Sequence, residues 1–564
     1  MIKHKKGIYI LFIIFSFLAA LKMLIFAFGL DEEYQVVMAY RNAVGDKLFL
    51  DMWEPHQSSA FLCTLLMKPY LYFFGTTGLI LYLRICGTLI HLGISVYFYQ
   101  VIRHLVQKEY AWLLALIYFN TIPKQIMLPE FGIMQVWCYT LLCLFLIKYY
   151  EYGRKVRYLL LAAFALVLNI LSYPSCLILF PFVLVAVARL SGKDRWRDMG
   201  IVTACCAVCG IVYLGMLFTY TTPEQLLQTL SYILNGDVTH SLTLGGKLLA
   251  LLRSALQLTV LWLGCRLLAQ LIVKWKKWEW EATSCLTMIF ACVVELFFWV
   301  VLNSGYEKMQ LYLAVFTLEG ILAYRKGNRE HKGKEAEQER RILLLKQGIL
   351  GALVSLAAVV YLTDLTLAES IPHAMPAAFF GVMLLIFTTE KQEKKHRSGW
   401  VYAVLLAWCV TAIFGKGYTL RGGVDYNNVL QSRGILKYGP ACGTISSYMG
   451  AYIYNCDYED WQTYLQDGDK VLIVVDQVMN LGTTQYLFKD VEISHYSIVN
   501  PTAYDERLLT YWEMYPEKMP NVIIVDCWYG QLMTDPQGWM MQYIENDFGY
   551  KEIHDGRYIR IYRK

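Results

Sequence analysis

Between two long apolar segments, residues 31–70 read DEEYQVVMAYRNAVGDKLFLDMWEPHQSSAFLCTLLMKPY, a loop that opens on Asp31, Glu32 and Glu33 and later carries Glu54, His56 and Gln57. A carboxylate so placed can take a proton from a hydroxyl. It can equally be solvated charge at a helix start, where the positive end of the dipole favours acids. Arg84 falls about ten residues into the next apolar segment, where an unpaired guanidinium costs roughly 2.5–3.5 kcal/mol, so it must face other helices and meet an acid. A structural ion pair competes there with a functional cation. Two further loops carry charge: TIPKQIMLPEFG (121–132) holds Lys124 and Glu130, and LNSGYEKMQ (302–310) holds Asn303, Tyr306 and Lys308. Cations at the mouth of a helical bundle can hold an anion or reach to lipid headgroups.

The elements that must position these groups follow from composition. The chain has 564 residues, 57% of them hydrophobic and 17% charged, against about 25% charged in an ordinary globular domain. Apolar runs able to cross a hydrocarbon core of about 30 Å recur to about residue 415 and then stop. Thirteen are expected, at 7–29, 76–101, 105–122, 131–150, 156–172, 175–189, 200–220, 246–272, 282–302, 309–324, 346–363, 372–388 and 400–415. With MIKHKK cytoplasmic, loops on its side hold about 28 Lys plus Arg, including RKGNREHKGKEAEQERR (325–341) and KQEKKHR (391–397), against about 6 on the other. The alternation puts 31–70 and everything after 415 outside. The first span is long and is followed by no small-residue cleavage site, which marks an uncleaved anchor. The net charge of +6 belongs to the cytoplasmic loops and does not indicate nucleic acid.

Within the first outer loop, apolar residues at helical spacing (Tyr34, Val37, Met38, then Phe61, Leu65, Leu66) predict two short amphipathic helices on the membrane surface. The organisation is thus a transmembrane module, 1–415, whose first outer loop is 31–75, followed by an extracytoplasmic domain, 416–564. KVLIVVD (470–476) and NVIIVDC (521–527) read as buried strands and EISHYSIVN (492–500) as a third. Helical patterns fall near 425–437, 478–488, 504–514 and 535–547. The end of the chain, turning at Asp555-Gly556, reads as a hairpin, so this domain is α/β. Cys442, Cys456 and Cys527, an odd number without framework spacing, do not build a disulfide domain.

No G-x-x-x-x-G-K-[ST] loop occurs, which removes nucleotide-driven pumps. An acidic pair straight after the first span, Gly45, then W-E-P-H (53–56), F-G (74–75) and Leu83-Arg84 in the second span together resemble the GT-C superfamily of polyprenyl-phosphate-sugar glycosyltransferases. The likeness is to the branch of protein O-mannosyltransferases and aminoarabinose transferases, and it is strongest over 1–190. It implies a GT-C fold and an inverting transfer of sugar from a polyprenyl-phosphate donor to an acceptor of a bacterial envelope. Asp31 stands at the catalytic Asp, Glu32 completes the D-E pair, and Glu130 stands near a second acidic position that is usually Asp. Arg84 matches the Arg of the second span. Where aminoarabinose transferases have E-K-P this chain has Glu54-Pro55-His56, so His56 or Gln57 replaces the phosphate-contacting Lys. Lys308, with Tyr306, stands nearest the basic pattern before the tenth span, and Lys124 is a further cation at the mouth.

The chemistry agrees with these residue types. A sugar delivered outside on a lipid phosphate leaves behind a stable anion, so one carboxylate base and cations for the phosphate suffice. No organic cofactor is implied; a divalent cation is possible among Asp31, Glu32 and Glu130. Two other readings remain: a transporter or flippase of lipid-linked glycans, with the acids as an ion pathway, and a non-catalytic assembly protein.

Overall fold

The computed structural model describes residues 2–26, 30–235, 243–303, 310–329, 336–363, 365–390, 395–420, 428–431, 433–474, 491–497, 506–528, 531–532 and 549–564. Each expected span coincides with a helix. They are α1 (Ile2–Ile25), α4 (Leu79–Ile102), α5 (Lys108–Asn120), α6 (Phe131–Glu151), α7 (Val156–Ser172), α8 (Leu179–Ser191) and α9 (Arg195–Leu217), then α11 (Leu244–Lys276), α12 (Glu281–Val300), α13 (Leu311–Arg329), α14 (Ala336–Leu362), α16 (Met375–Glu390) and α17 (Lys395–Tyr418). Among the described residues, nine helical stretches are long and apolar enough to cross a bilayer, one of them running through both α8 and α9. The chain is therefore a multi-pass helical membrane protein. At 1.5 Å per residue, α5 and α8, of 13 residues each, are too short to cross alone, so helix count and span count differ.

Two packing details bring the outer loops onto the bundle. A side chain at Gly87 would begin 1.6 Å from the carbonyl oxygen of Met127, so only glycine there lets residues 121–130 lie against α4, one turn beyond Arg84. At Gly320 on α13 a side chain would begin 2.2 Å from the Gly381 carbonyl oxygen of α16, the small-residue contact by which membrane helices approach closely.

Both helices of the first outer loop form: α2 (Leu30–Val44) and α3 (Phe61–Phe74). Of the two, α3 exposes Leu65, Tyr72, Phe73 and Phe74. In α2 every residue from Glu32 to Arg41 is buried. The helix packs against α3 and the 3₁₀ turn Gln57–Ala60, and Arg41 near its end bonds the His495 carbonyl of the last domain.

That domain is a mixed sheet in the order β4-β3-β5-β8-β7, with β6 (Gln531–Leu532) beside β5. Strands β3 (Lys470–Val474), β4 (Glu492–Ile493) and β5 (Val522–Trp528) are parallel. The expected terminal hairpin closes the edge as β7 (Lys551–Asp555) and β8 (Ile559–Arg563), antiparallel to each other, with β8 also antiparallel to β5. Alternation along the strands gives two buried faces. Val471, Ile473, Val522, Ile524, Ile559 and Ile561 pack toward Trp461 and Tyr454 of α18 (Tyr448–Tyr464), in a core continuous with the bundle. Leu472, Val474, Ile523, Val525 and Tyr562 pack with Leu508, Tyr511 and Trp512 of helix Glu506–Met514 and, from the first outer loop, Trp53.

The region 425–437 corrects the sequence reading. Its described part is a 3₁₀ turn, Val429–Gln431, and the short strand Gly434–Ile435. The helix lies further on, in α18, capped at its start by Ser447 accepting from the Gly450 N–H. The patterns at 478–488 and 535–547 fall outside the described residues.

Candidate active site

The site is built outward from α2. Its first turn carries Asp31, Glu32 and Glu33 at the positive end of the helix dipole. Arg84 of α4 meets Glu32 in a two-pronged pair, Nε to Oε1 and Nη2 to Oε2, each 2.6 Å, with both side chains buried. Its Nη1 donates to the Leu24 carbonyl at 2.9 Å, tying the end of α1 to the same point. The acid that Arg84 was expected to meet is thus Glu32. The sequence reading set Glu32 beside the base and Arg84 at the substrate; the two are bonded to each other.

The following turns of α2 fix the W-E-P-H stretch. Tyr34 donates its hydroxyl to Glu54 Oε2 at 3.1 Å, and Gln35 exchanges two hydrogen bonds with Ser59, in the 3₁₀ turn Gln57–Ala60. Thr64 of α3 donates to the Ala39 carbonyl, and Cys63 donates to the Pro129 carbonyl, so the first outer loop is bonded to the second. Glu130 caps α6 by accepting from the Ile133 N–H at 3.0 Å. The next residue, Phe131, stacks flat on the His56 ring with centroids 4.3 Å apart and an interplanar angle of 3°.

Tyr173, at the break between α7 and the following 3₁₀ turn Pro174–Ile178, closes the group. Its ring lies 4.7 Å from His56 and 5.9 Å from Phe131. Burial pushes its hydroxyl well above the ordinary tyrosine range, and Cys176 and the nearby Asp31 and Glu130 carboxylates push the same way. A phenol so held stays protonated and can donate. The structure therefore brings Glu54, His56 and Glu130 together around aromatic rings, with the partly exposed Asp31 near enough for its charge to act on the Tyr173 hydroxyl. Gln57 is adjacent: its Oε1 accepts from the Phe49 N–H at 2.7 Å, and its buried Nε2 has no partner among the described residues.

Other predicted residues are not brought in. Tyr306 and Lys308 lie outside the described residues, and Lys124 is placed by its backbone in the turn Pro123–Gln125, its side chain lying outside the description. Two cations that the sequence reading gave no role, Lys22 and Lys416, are buried and bind the Thr419 and Phe119 carbonyls, tying α1 to the end of α17 and α17 to α5. Tyr34 and Tyr173 were also missed. The only sequence signal for Tyr173 is the S-Y-P-S break between two apolar runs. Of the three acids offered to a divalent cation, Glu32 is paired with Arg84. No group of three or more His, Cys, Asp or Glu side chains able to hold a metal occurs among the described residues.

The loop end of α2 is anchored differently. Arg41 pairs with Asp46 at 2.6 Å and donates to the Asp51 carbonyl and, across to the last domain, to the His495 carbonyl at 2.7 Å. Lys518 reaches back to Asp46 at 2.8 Å. Between them Trp53 donates its N–H to the Tyr496 carbonyl and stacks on Tyr232 of α10 (Pro223–Asn235), with centroids 4.9 Å apart. The residue before Glu54 is thereby seated in the core of the α/β domain.

No protein-family profile and no curated protein matches the chain. Among solved structures it is similar to an oligosaccharyltransferase of Archaeoglobus fulgidus in a complex with Zn and sulfate, at 13% identity and a TM-score of 0.47, covering 91% of this chain and 67% of that one. It is also similar to the oligosaccharyltransferase AglB of that archaeon with an inhibitory peptide and a dolichol-phosphate, at 12% identity and 0.47, covering 93% and 70%. A third is ArnT of Cupriavidus metallidurans bound to undecaprenyl phosphate, at 9% identity and 0.44, covering 99% and 98%. Likenesses of this size leave the class of the chain to its own structure: a polytopic helical membrane protein with an α/β domain after its last span.

Proposed function

We propose that the protein is an inverting glycosyltransferase of a bacterial plasma membrane, moving a sugar from a polyprenyl-phosphate donor to an envelope acceptor on the outer face. The observation that supports this reading is the ring cluster of His56, Phe131 and Tyr173 beside Glu130, with the charges of Asp31 and Glu130, from two loops that charge asymmetry assigns to one side, both acting on the buried Tyr173 hydroxyl. In the reaction Asp31 takes the proton of the acceptor hydroxyl as its oxygen bonds to the anomeric carbon. The bond from that carbon to the phosphate oxygen breaks, and the lipid phosphate leaves as an anion. Attack opposite the leaving group inverts the anomeric centre. His56 and the free edge of Gln57 are placed to meet the phosphate, with Lys124 and Lys308 as further cations.

The rings of His56, Phe131 and Tyr173 offer flat apolar faces of the kind that sugar rings stack on, which suits a glycosyl group better than an ion pathway. Incubating the purified protein with a panel of polyprenyl-phosphate sugars and an envelope extract tests the reading. Release of lipid phosphate with at least one donor is expected. Absence of release across the panel would exclude this donor class.

A further inference from the structure

The head of α16 adds a group that the sequence reading left out. It begins in a 3₁₀ turn, Ile371–Ala374, entered through a capping box between Thr366 and Glu369, and this turn carries the buried His373. His373 Nδ1 lies 3.2 Å from Gln135 Oε1. The Gln135 amide nitrogen donates to Ser355 Oγ at 2.6 Å, so its oxygen is the atom turned to the ring and Nδ1 is the donor. The opposite side of the ring goes to the active site. A side chain begun at Gly132 would lie 2.9 Å from His373 Cε1 and 3.1 and 3.2 Å from the two Glu130 oxygens. Imidazole and carboxylate therefore close over the one residue of the first turn of α6 that has no side chain. The Tyr173 ring stands edge-on to His373 at 6.0 Å.

We propose that His373 is a positioning residue for Glu130, and that Ser355, Gln135, His373 and Glu130 form one hydrogen-bonded chain from the bundle to the site. With Nδ1 held by Gln135, the ring presents Nε2 on the carboxylate side. The physical need is clear from the neighbours: Glu130 and Gln135 of α6 face the ring, Tyr173 stands at its edge, and the charges of Asp31 and Glu130 both act on the Tyr173 hydroxyl. Two carboxylates around one phenol repel each other. With Nδ1–H given to Gln135, a bond to the Glu130 carboxylate needs a proton on Nε2 as well, and the resulting imidazolium offsets that charge and leaves Asp31 as the base. The catalytic part of this role rests on the transferase reading; the arrangement of the chain does not.

The test uses the full-length protein in detergent, labelled with ¹⁵N-histidine, with the His373 ring signals assigned by their loss in His373→Gln. The expected result is a protonated Nδ1 in the wild type, an Nε2 signal that moves in Glu130→Gln, and loss of the Nδ1 preference in Gln135→Met. An unprotonated Nδ1, or ring signals indifferent to Glu130→Gln, would overturn the proposal. Thermal melting separates these results from misfolding, and His373→Asn provides a second variant should His373→Gln not insert. With an active donor in hand, His373→Gln and Glu130→Gln should each lose turnover on the order of 10²-fold, since a misplaced group near the reacting atoms costs about that much. The double variant should be no worse than Glu130→Gln alone, because the two residues act as one unit. Losses that multiply would overturn the role. A wild type that turns over no donor would instead count against the transferase reading and leave the spectroscopic result standing.

Discussion

Arg84 and Arg41 are both buried and both spread their donors over charged and backbone oxygens, Arg84 at the start of α2 and Arg41 near its end. The partners of Arg84 are Glu32 and the carbonyls of Leu24 and Phe26, all from the first quarter of the chain. Arg41 bonds the nearby Asp46 and Asp51 but also the carbonyl of His495, 454 positions away. The first pair ties the acidic turn to α4 and to the end of α1. The second makes the α/β domain part of the site, because the loop it locks runs through Trp53 directly into Glu54 and His56. A change at one end of α2 should therefore disturb the fold of the bundle, and a change at the other should disturb only the docking of the domain.

Breaking the first end should have the larger effect. Arg84→Met leaves Glu32 buried without its cation, a change that typically costs about 3–5 kcal/mol, and it should lower both thermal stability and activity. Replacing the pair together, Arg84→Met with Glu32→Gln, should recover a good part of the stability; failure to recover any would mean that Arg84 holds α1 through the carbonyls more than α2 through Glu32. At the second end, Lys518→Met removes a hydrogen bond between charged groups, worth about 1.5–3 kcal/mol. Proteolysis of membrane vesicles should then release fragments of 416–564 while the bundle melts as before. A bundle melting together with the domain would erase the distinction between the two ends.

The same contrast has a pH dependence. Burial alone would raise the Asp46 carboxyl, but Arg41 and Lys518 outweigh it and hold the group below its ordinary value of 3.8. A depressed acid contributes stability that is full above its unfolded value and is lost as pH falls through the folded one. Docking of the domain should hold from neutral pH down to about 4 and weaken below it, as followed by hydrogen exchange at α2. The weakening should be smaller in Asp46→Asn, which starts from a looser state. Smallest of all, Gln57→Ala should raise the apparent Michaelis constant for the lipid donor a few-fold without changing turnover, the pattern of lost uniform binding.

Sequence reading reached what strong local signals encode. Every apolar run became a helix, because about twenty apolar residues leave the backbone few alternatives in lipid. The buried strands at 470–474 and 522–528, the terminal hairpin, and the need of Arg84 for an acid followed in the same way. It failed where the deciding partner is distant. The bond that ties the end of α2 to the last domain joins Arg41 to a carbonyl 454 positions later, and nothing around Arg41 records that partner. Helix α18 was missed because its run of tyrosines, with Ile453, has the side chains common in strands. Tyr173 and His373 each sit singly at a helix break, where the sequence shows a turn and gives no sign that two turns meet.

The central claim is that Asp31 is the base and that Glu130 is held beside it in a supporting part. A positioned base supplies about 10²–10⁴ in rate. The direct measurement is turnover of a polyprenyl-phosphate sugar by Asp31→Asn, Glu32→Gln and Glu130→Gln at matched membrane expression. Asp31→Asn should lose activity on the order of 10²–10⁴ while still binding donor, with smaller losses in the other two. Near-native turnover in Asp31→Asn, or a larger loss in Glu130→Gln, would contradict the assignment and move the base to the second outer loop.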